Sequence, residues 1–118
     1  MKATIASLIF LLLSLAVSSQ TYKYIGIEEG LSNQKIYRIQ KDARGYMWFL
    51  THVGIDRYNG KEIKHYKLKE GDRELDPLLN INWTYLDKTG TLLVTGKQGR
   101  IFRYDSGHDR FVQIYSMY

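Results

Sequence analysis

Ile39-Gln40-Lys41-Asp42-Ala43-Arg44-Gly45-Tyr46-Met47-Trp48-Phe49 aligns without a gap with Thr84-Tyr85-Leu86-Asp87-Lys88-Thr89-Gly90-Thr91-Leu92-Leu93-Val94. Asp42 falls on Asp87, Gly45 on Gly90 and, further along, Gly54 on Gly99, a constant displacement of 45 positions. Arg57-Tyr58-Asn59 then matches Arg103-Tyr104-Asp105 after one inserted residue. A repeat of this length built from short apolar runs is the size of one four-stranded β-propeller blade, for which units run ~40 to 50 residues.

Within each unit the apolar and aromatic runs are too brief for helices and are separated by turn residues, which predicts antiparallel meanders. In the first unit the expected strands are 36–40, 47–51, 55–58 and 61–66, with turns at Asp42 to Gly45, Val53-Gly54 and Asn59-Gly60. Asn59-Gly60 is the strongest hairpin signal and predicts a type I′ turn, whose two central positions both need positive φ. In the second unit the strands are expected at 81–86, 92–95, 100–104 and 110–115, joined at 87–90, 96–99 and 105–109. The charged stretch Lys67 to Pro77, poor in apolar residues, reads as a surface loop between units.

The Asp-x-x-Gly spacing has a physical basis. A turn-opening Asp accepts hydrogen bonds from amides two residues on, and Gly suits the position where the chain re-enters the sheet. Asp42, Gly45, Asp87 and Gly90 are therefore assigned to folding, together with the repeat positions Trp48, Gly54, Tyr58, Asn59, Gly60, Gly99 and Tyr104. The fold class is all-β: two four-stranded antiparallel blades of an incomplete β-propeller, about 30–66 and 79–115, within a domain 20–118. Because alternating strands bury half their side chains between blades, Trp48, Phe49, Tyr58, Trp83 and Tyr104 are expected in the core. The aromatic content of 14% also leaves room for rings that stack on sugars.

Residues 1–19 read as a signal peptide. Lys2 supplies the positive charge, Ile5 to Val17 is apolar apart from Ser7 and Ser14, and Val17-Ser18-Ser19 offers small residues for cleavage. The run is shorter than the ~18 to 20 residues of a membrane span, and no apolar span follows it. A periplasmic or otherwise extracytoplasmic location is the expectation. With no cysteine in the 118 residues, disulfides and thiolate metal sites are excluded.

The formal net charge of +5 is spread out, with basic residues interleaved with acidic ones as in Lys67-Leu68-Lys69-Glu70-Gly71-Asp72-Arg73-Glu74, which argues against nucleic acid as a partner. His52, His65 and His108 show no metal-site spacing and read as solvated. No nucleophile elbow, phosphate loop or zincin motif is present, so neither catalytic residues nor a cofactor are expected. Asn82-Trp83-Thr84 matches a glycosylation acceptor, a chance match in an expected strand unless the source is eukaryotic.

Gly30-Leu31-Ser32-Asn33, Ile36, Ile39, Asp42, Gly45, Tyr46-Met47-Trp48-Phe49, Thr51, Gly54-Ile55, Arg57-Tyr58-Asn59-Gly60 and Tyr66, in that order, resemble the first blade of the two-component regulator propeller family. The likeness is close over 24–66 and loose over 81–115. Leu50 stands where that family usually has Gly, His52 where it has a small or acidic residue, and Leu93 takes the place of Trp48 in the second unit.

The resemblance implies the periplasmic sensor of a Bacteroidetes-type hybrid two-component histidine kinase. It also implies an oligosaccharide ligand, and the remaining blades and kinase portion of the receptor as partners. Two blades do not close a ring, so the chain is expected to be an N-terminal fragment without catalysis of its own. A secreted polysaccharide-cleaving propeller enzyme and a small self-assembling module are the alternatives.

Overall fold

The computed structural model describes residues 2–15, 20–76, 81 and 83–116, with side chains in the leading helix described only as far as Leu11. The calls on Pro77 and Asn82 lie outside the described residues. A helix α1 (Lys2–Leu15) comes first. No helix among the described residues is long and apolar enough to cross a membrane.

The rest is built from antiparallel strands. Strands β1 (Ile36–Lys41), β2 (Met47–Thr51), β3 (Ile55–Tyr58) and β4 (Ile63–Tyr66) form one sheet in chain order. After a short hairpin of β5 (Lys69–Glu70) and β6 (Arg73–Glu74), strands β7 (Trp83–Leu86), β8 (Leu92–Thr95), β9 (Ile101–Asp105) and β10 (Arg110–Tyr115) form the second. These four-stranded meanders are propeller blades, β1 and β7 being the first strand of each. Both blades carry a bulge at an outside ladder, between Ile36 and Arg38 and between Gln113 and Tyr115.

Register decides which residues face the neighbouring blade. Leu50, Ile55 and Tyr66 lie in one cross-strand row, and Trp48, Arg57 and Lys64 in the next. That face meets the row of Thr84, Val94, Phe102 and Gln113 and the pair Tyr104 and Phe111 of the second blade. Trp48, Leu50, Ile55, Tyr66, Leu92, Val94, Phe102 and Tyr104 are all buried there as one core. Each strand thus buries alternate side chains, and apolar area removed from water between the blades drives their stacking at roughly 25 cal/mol per Å².

Three expectations need correction. Asn59 and Gly60 do not form a type I′ turn: only Gly60 has positive φ, at 99°. The loop holds four residues, since Tyr58 pairs with Ile63. Asn59 Oδ1 accepts from the amides of Lys61 and Glu62, both at 2.9 Å, so its side chain does by hydrogen bonding what a left-handed backbone would have done. Strand β4 therefore begins at Ile63 rather than Lys61.

The stretch after Lys67 is not a bare surface loop. Its charged residues pair across the β5–β6 hairpin, Lys69 with Glu74 and Glu70 with Arg73, while Leu68 and Leu75 at the hairpin's base are 2% and 5% exposed and belong to the core. The Leu75 amide donates to the Leu68 carbonyl at 2.9 Å, closing the base. Two isolated leucines among charges gave no periodic signal, yet together they plug the core. Trp83 is also not buried: it is 48% exposed, because β7 is the first strand of its blade and Trp83 alternates with the buried Thr84.

Candidate functional site

The two Asp-x-x-Gly turns are built alike. Asp42 Oδ1 accepts from the amides of Arg44 (2.9 Å) and Tyr46 (3.0 Å), and Asp87 Oδ1 accepts from those of Thr89 and Thr91, both at 2.9 Å. The amides of Gly45 and Gly90 close the turns on the carbonyls of Asp42 and Asp87. The second carboxylate oxygens differ. Asp42 Oδ2 accepts from the indole N–H of the fully buried Trp48 at 2.9 Å, whereas Leu93 offers no donor and Asp87 Oδ2 accepts from Arg103 Nε at 2.9 Å. The Thr89 hydroxyl foremost, then the Thr91 amide and Arg103, hold the Asp87 carboxyl well below the usual carboxylate range.

The turns also join the blades. The Ala43 amide donates to the Gly90 carbonyl at 3.0 Å, and Arg38 on β1 bonds Thr84 on β7 and lies 3.9 Å from the centre of the Trp83 ring. Among the remaining repeat positions, the Gly54 carbonyl accepts from the amide and hydroxyl of Thr51 to form the β2–β3 turn. Gly99 ends a single 3-10 turn, Lys97–Gly99. The Tyr58 hydroxyl donates to the Gly60 carbonyl at 2.9 Å on the face turned away from the second blade.

The densest polar constellation is at the seam. Trp48, Tyr66, Tyr104 and Phe111 form a box with ring centres 4.7–5.8 Å apart in tilted and edge-on contacts. The Arg57 guanidinium sits 4.5–5.9 Å from the ring centres of Tyr46, Tyr66, Tyr104 and Trp48. It donates to the Tyr104 hydroxyl and, at 3.3 Å, to Asp109 Oδ1, while its Nε is buried without a partner.

Asp109 Oδ1 also accepts from the hydroxyls of Tyr66 and Tyr104, and Oδ2 from Lys64. Two cations here share the one Asp109 carboxylate, and of the two Arg57 is largely withdrawn from water, where aromatic faces attract a cation most strongly. Burial first, then the neighbouring Tyr104, raises the Tyr66 hydroxyl far above the ordinary tyrosine range, with Arg57 opposing. This arrangement binds blade to blade; none of its groups is an activated nucleophile.

Beside the seam, β4, the β5–β6 hairpin and β10 enclose an open cleft of about 510 Å³, with Lys67, Lys69, Arg110 and Phe111 among its walls. Exposed rings lie on the outer faces of the two first strands, Tyr37 (58%) on β1 and Trp83 (48%) and Tyr85 (52%) on β7. The histidines do not converge on a site. His52 stacks on Tyr37 with ring centres 4.5 Å apart, and His108 bonds Asp105 at 2.8 Å. His65 is half exposed but not merely solvated: its Nδ1 lies 2.7 Å from both Asp56 Oδ1 and the Ser32 hydroxyl. No cluster of three potential metal ligands occurs among the described residues.

Asp109 and Asp56 were invisible in the repeat. Asp109 has φ of 51°, a conformation Asp tolerates better than most residues, and an Asp closing a hairpin loop was the available signal. Asp56 has Phe102 as its counterpart in the second unit, so no repetition marked it.

Residues 30–52, which run from the segment before β1 to just past the end of β2, match the family model described as two component regulator propeller. The first blade carries a two component regulator propeller repeat. No curated protein matches the chain. The regulator propeller repeat ends in the hairpin of Asp42, Gly45 and Trp48, the same residues that build the Asp–indole turn.

Proposed function

We propose that this chain is part of the extracytoplasmic ligand-sensing propeller of a two-component signalling receptor, exported by residues 1–19, that it takes a glycan-derived ligand and that it carries out no catalytic step. The observation that supports this reading most directly is the two component regulator propeller match over residues 30–52. The exposed rings Tyr37, Trp83 and Tyr85 are of the kind that stacks on pyranose faces, although His52 lies against Tyr37 and Arg38 against Trp83. Signalling then consists of ligand shifting a receptor between conformations by differential affinity. Further blades are the partners this reading calls for, because two blades do not close a ring.

Two experiments test this reading. Fractionation of cells expressing the tagged full chain should find a shortened protein outside the cytoplasm; a full-length cytoplasmic product overturns the export. Titration with a panel of oligosaccharides should change the fluorescence of the exposed Trp83 and leave the sugars intact. Cleaved sugars would point instead to a polysaccharide-degrading enzyme, and a panel with no effect overturns the glycan ligand.

A further inference from the structure

Resting on the saccharide reading above, we infer that the cleft between β4, the β5–β6 hairpin and β10 is a binding site for a carboxylate-bearing saccharide. Its charge is unbalanced. Lys64 and Arg57, outside the cleft, pair with Asp109 on its wall, and Lys67 within it pairs with Glu74 at 2.9 Å. Lys69 lies across the ladder from Glu74, whose close ion pair is with Lys67, and Arg110 across from Asp105, whose close partner is His108. Asp109, the one carboxylate lining the cleft, already accepts from Arg57, Lys64, Tyr66 and Tyr104. Lys67, Lys69 and Arg110 thus line the cleft against one lining carboxylate, Asp109, which already serves Arg57 and Lys64.

The cavity is larger than an inorganic anion requires. At about 510 Å³ it falls in the range of small-molecule sites, ~300 to 1,000 Å³. Phe111 and Val112 contribute apolar wall and Gln113 a neutral amide able to both donate and accept. Apolar area, an amide for hydroxyls and two cations for a carboxylate together describe an acidic sugar.

The walls come from two stretches, 65–71 and 109–113, one from each side of the seam, so the site exists only when the two blades are stacked. Phe111 is shared with the aromatic box of Trp48, Tyr66 and Tyr104, so an occupant of the cleft touches the seam itself. Binding there and blade docking are thereby coupled.

The test is calorimetric titration of the full chain with digalacturonate, with neutral galactobiose and with sodium sulfate, repeated on Lys69→Gln/Arg110→Gln. Digalacturonate should bind, about tenfold or more weaker to the double variant, and weaker as salt rises from about 50 to about 500 mM. The salt series on the unaltered chain carries the test if the variant fails to fold. Equal binding of galactobiose overturns the anionic character, and equal binding of sulfate overturns the saccharide. No digalacturonate binding alongside a Trp83 response to neutral oligosaccharides removes this site and leaves the sensor reading standing, whereas no response to any sugar removes both.

Discussion

Gly90 lies so close to Ala43 that a Cβ built on it would sit 2.2 Å from the Ala43 Cβ. The two residues belong to equivalent turns of successive blades and are tied by the 3.0 Å bond from the Ala43 amide to the Gly90 carbonyl. Gly90 also has φ of 77°, so two separate penalties meet at one position. Gly45, its repeat partner, has φ of 88° but nothing within 4 Å. Gly45→Ala should cost about 1 to 2 kcal/mol, the price of a left-handed residue with a Cβ. Gly90→Ala should cost clearly more, because the blades must also part. Urea unfolding of both variants checks the order; equal losses would show that the turn contact does not hold the blades.

Trp48→Phe separates packing from hydrogen bonding in the first turn. The ring volume is largely kept, but Asp42 Oδ2 loses the indole donor in a site that is 8% exposed. A buried acceptor left without its partner costs about 1 to 3 kcal/mol. The thermal midpoint should fall accordingly, and a change within error would mean that water replaces the indole.

The repeat was legible because turn chemistry and strand alternation act locally: the 45-residue displacement, the Asp-x-x-Gly turns and most strand positions follow from residues a few places apart. What escaped was made by distant pairs. Leu68 and Leu75 are seven positions apart and become core only when the charged hairpin between them closes. Asp109 gains its role from Arg57, 52 positions away, which no local pattern connects. Trp83 was expected in the core on alternation alone, which does not say which face of a blade its neighbour covers.

Arg57 and Tyr104 are each marked by the repeat, and their mutual bond crosses between blades. A double-mutant cycle with Arg57→Met and Tyr104→Phe should give a coupling of about 1 to 2 kcal/mol, within the range for groups sharing one network. Arg57→Met alone should be the more damaging single change, because it leaves Asp109 only the half-exposed Lys64 while the rings lose the guanidinium between them. Additive losses in urea unfolding would place Arg57 in the seam as a passive space-filler.

Asp87 sets a pH dependence of defined sign. Its folded-state pKa is depressed, chiefly by the Thr89 hydroxyl bond, so its contribution is present above the unfolded value of about 3.9 and is lost as pH falls through the folded value. Asp87→Asn keeps a carbonyl acceptor for the turn amides but has no charge for Arg103. The unaltered chain should therefore exceed Asp87→Asn in thermal midpoint at pH 7, with the gap shrinking below about pH 4. A gap independent of pH would assign the turn's stability to geometry alone.

Asp56 holds the segment ahead of the first strand, the segment in which the family match begins at Gly30. Its carboxylate is fully buried on the face of the first blade turned away from the second, and it accepts from the Ser32 amide at 2.7 Å and from the Ser32 hydroxyl. His65 Nδ1 completes the group at 2.7 Å. The buried Leu31 just before Ser32 is thus held by a polar anchor 24 residues further along the chain. Asp56→Ala removes that anchor without touching the seam, so protection of the Ser32 amide from hydrogen exchange should fall about tenfold or more, the equivalent of about 1.4 kcal/mol. Amides of β8 and β9 in the second blade should exchange as before. Uniform loss of protection across both blades would mean that Asp56 supports the whole fold, and unchanged protection at Ser32 would mean that Leu31 packing alone holds the segment.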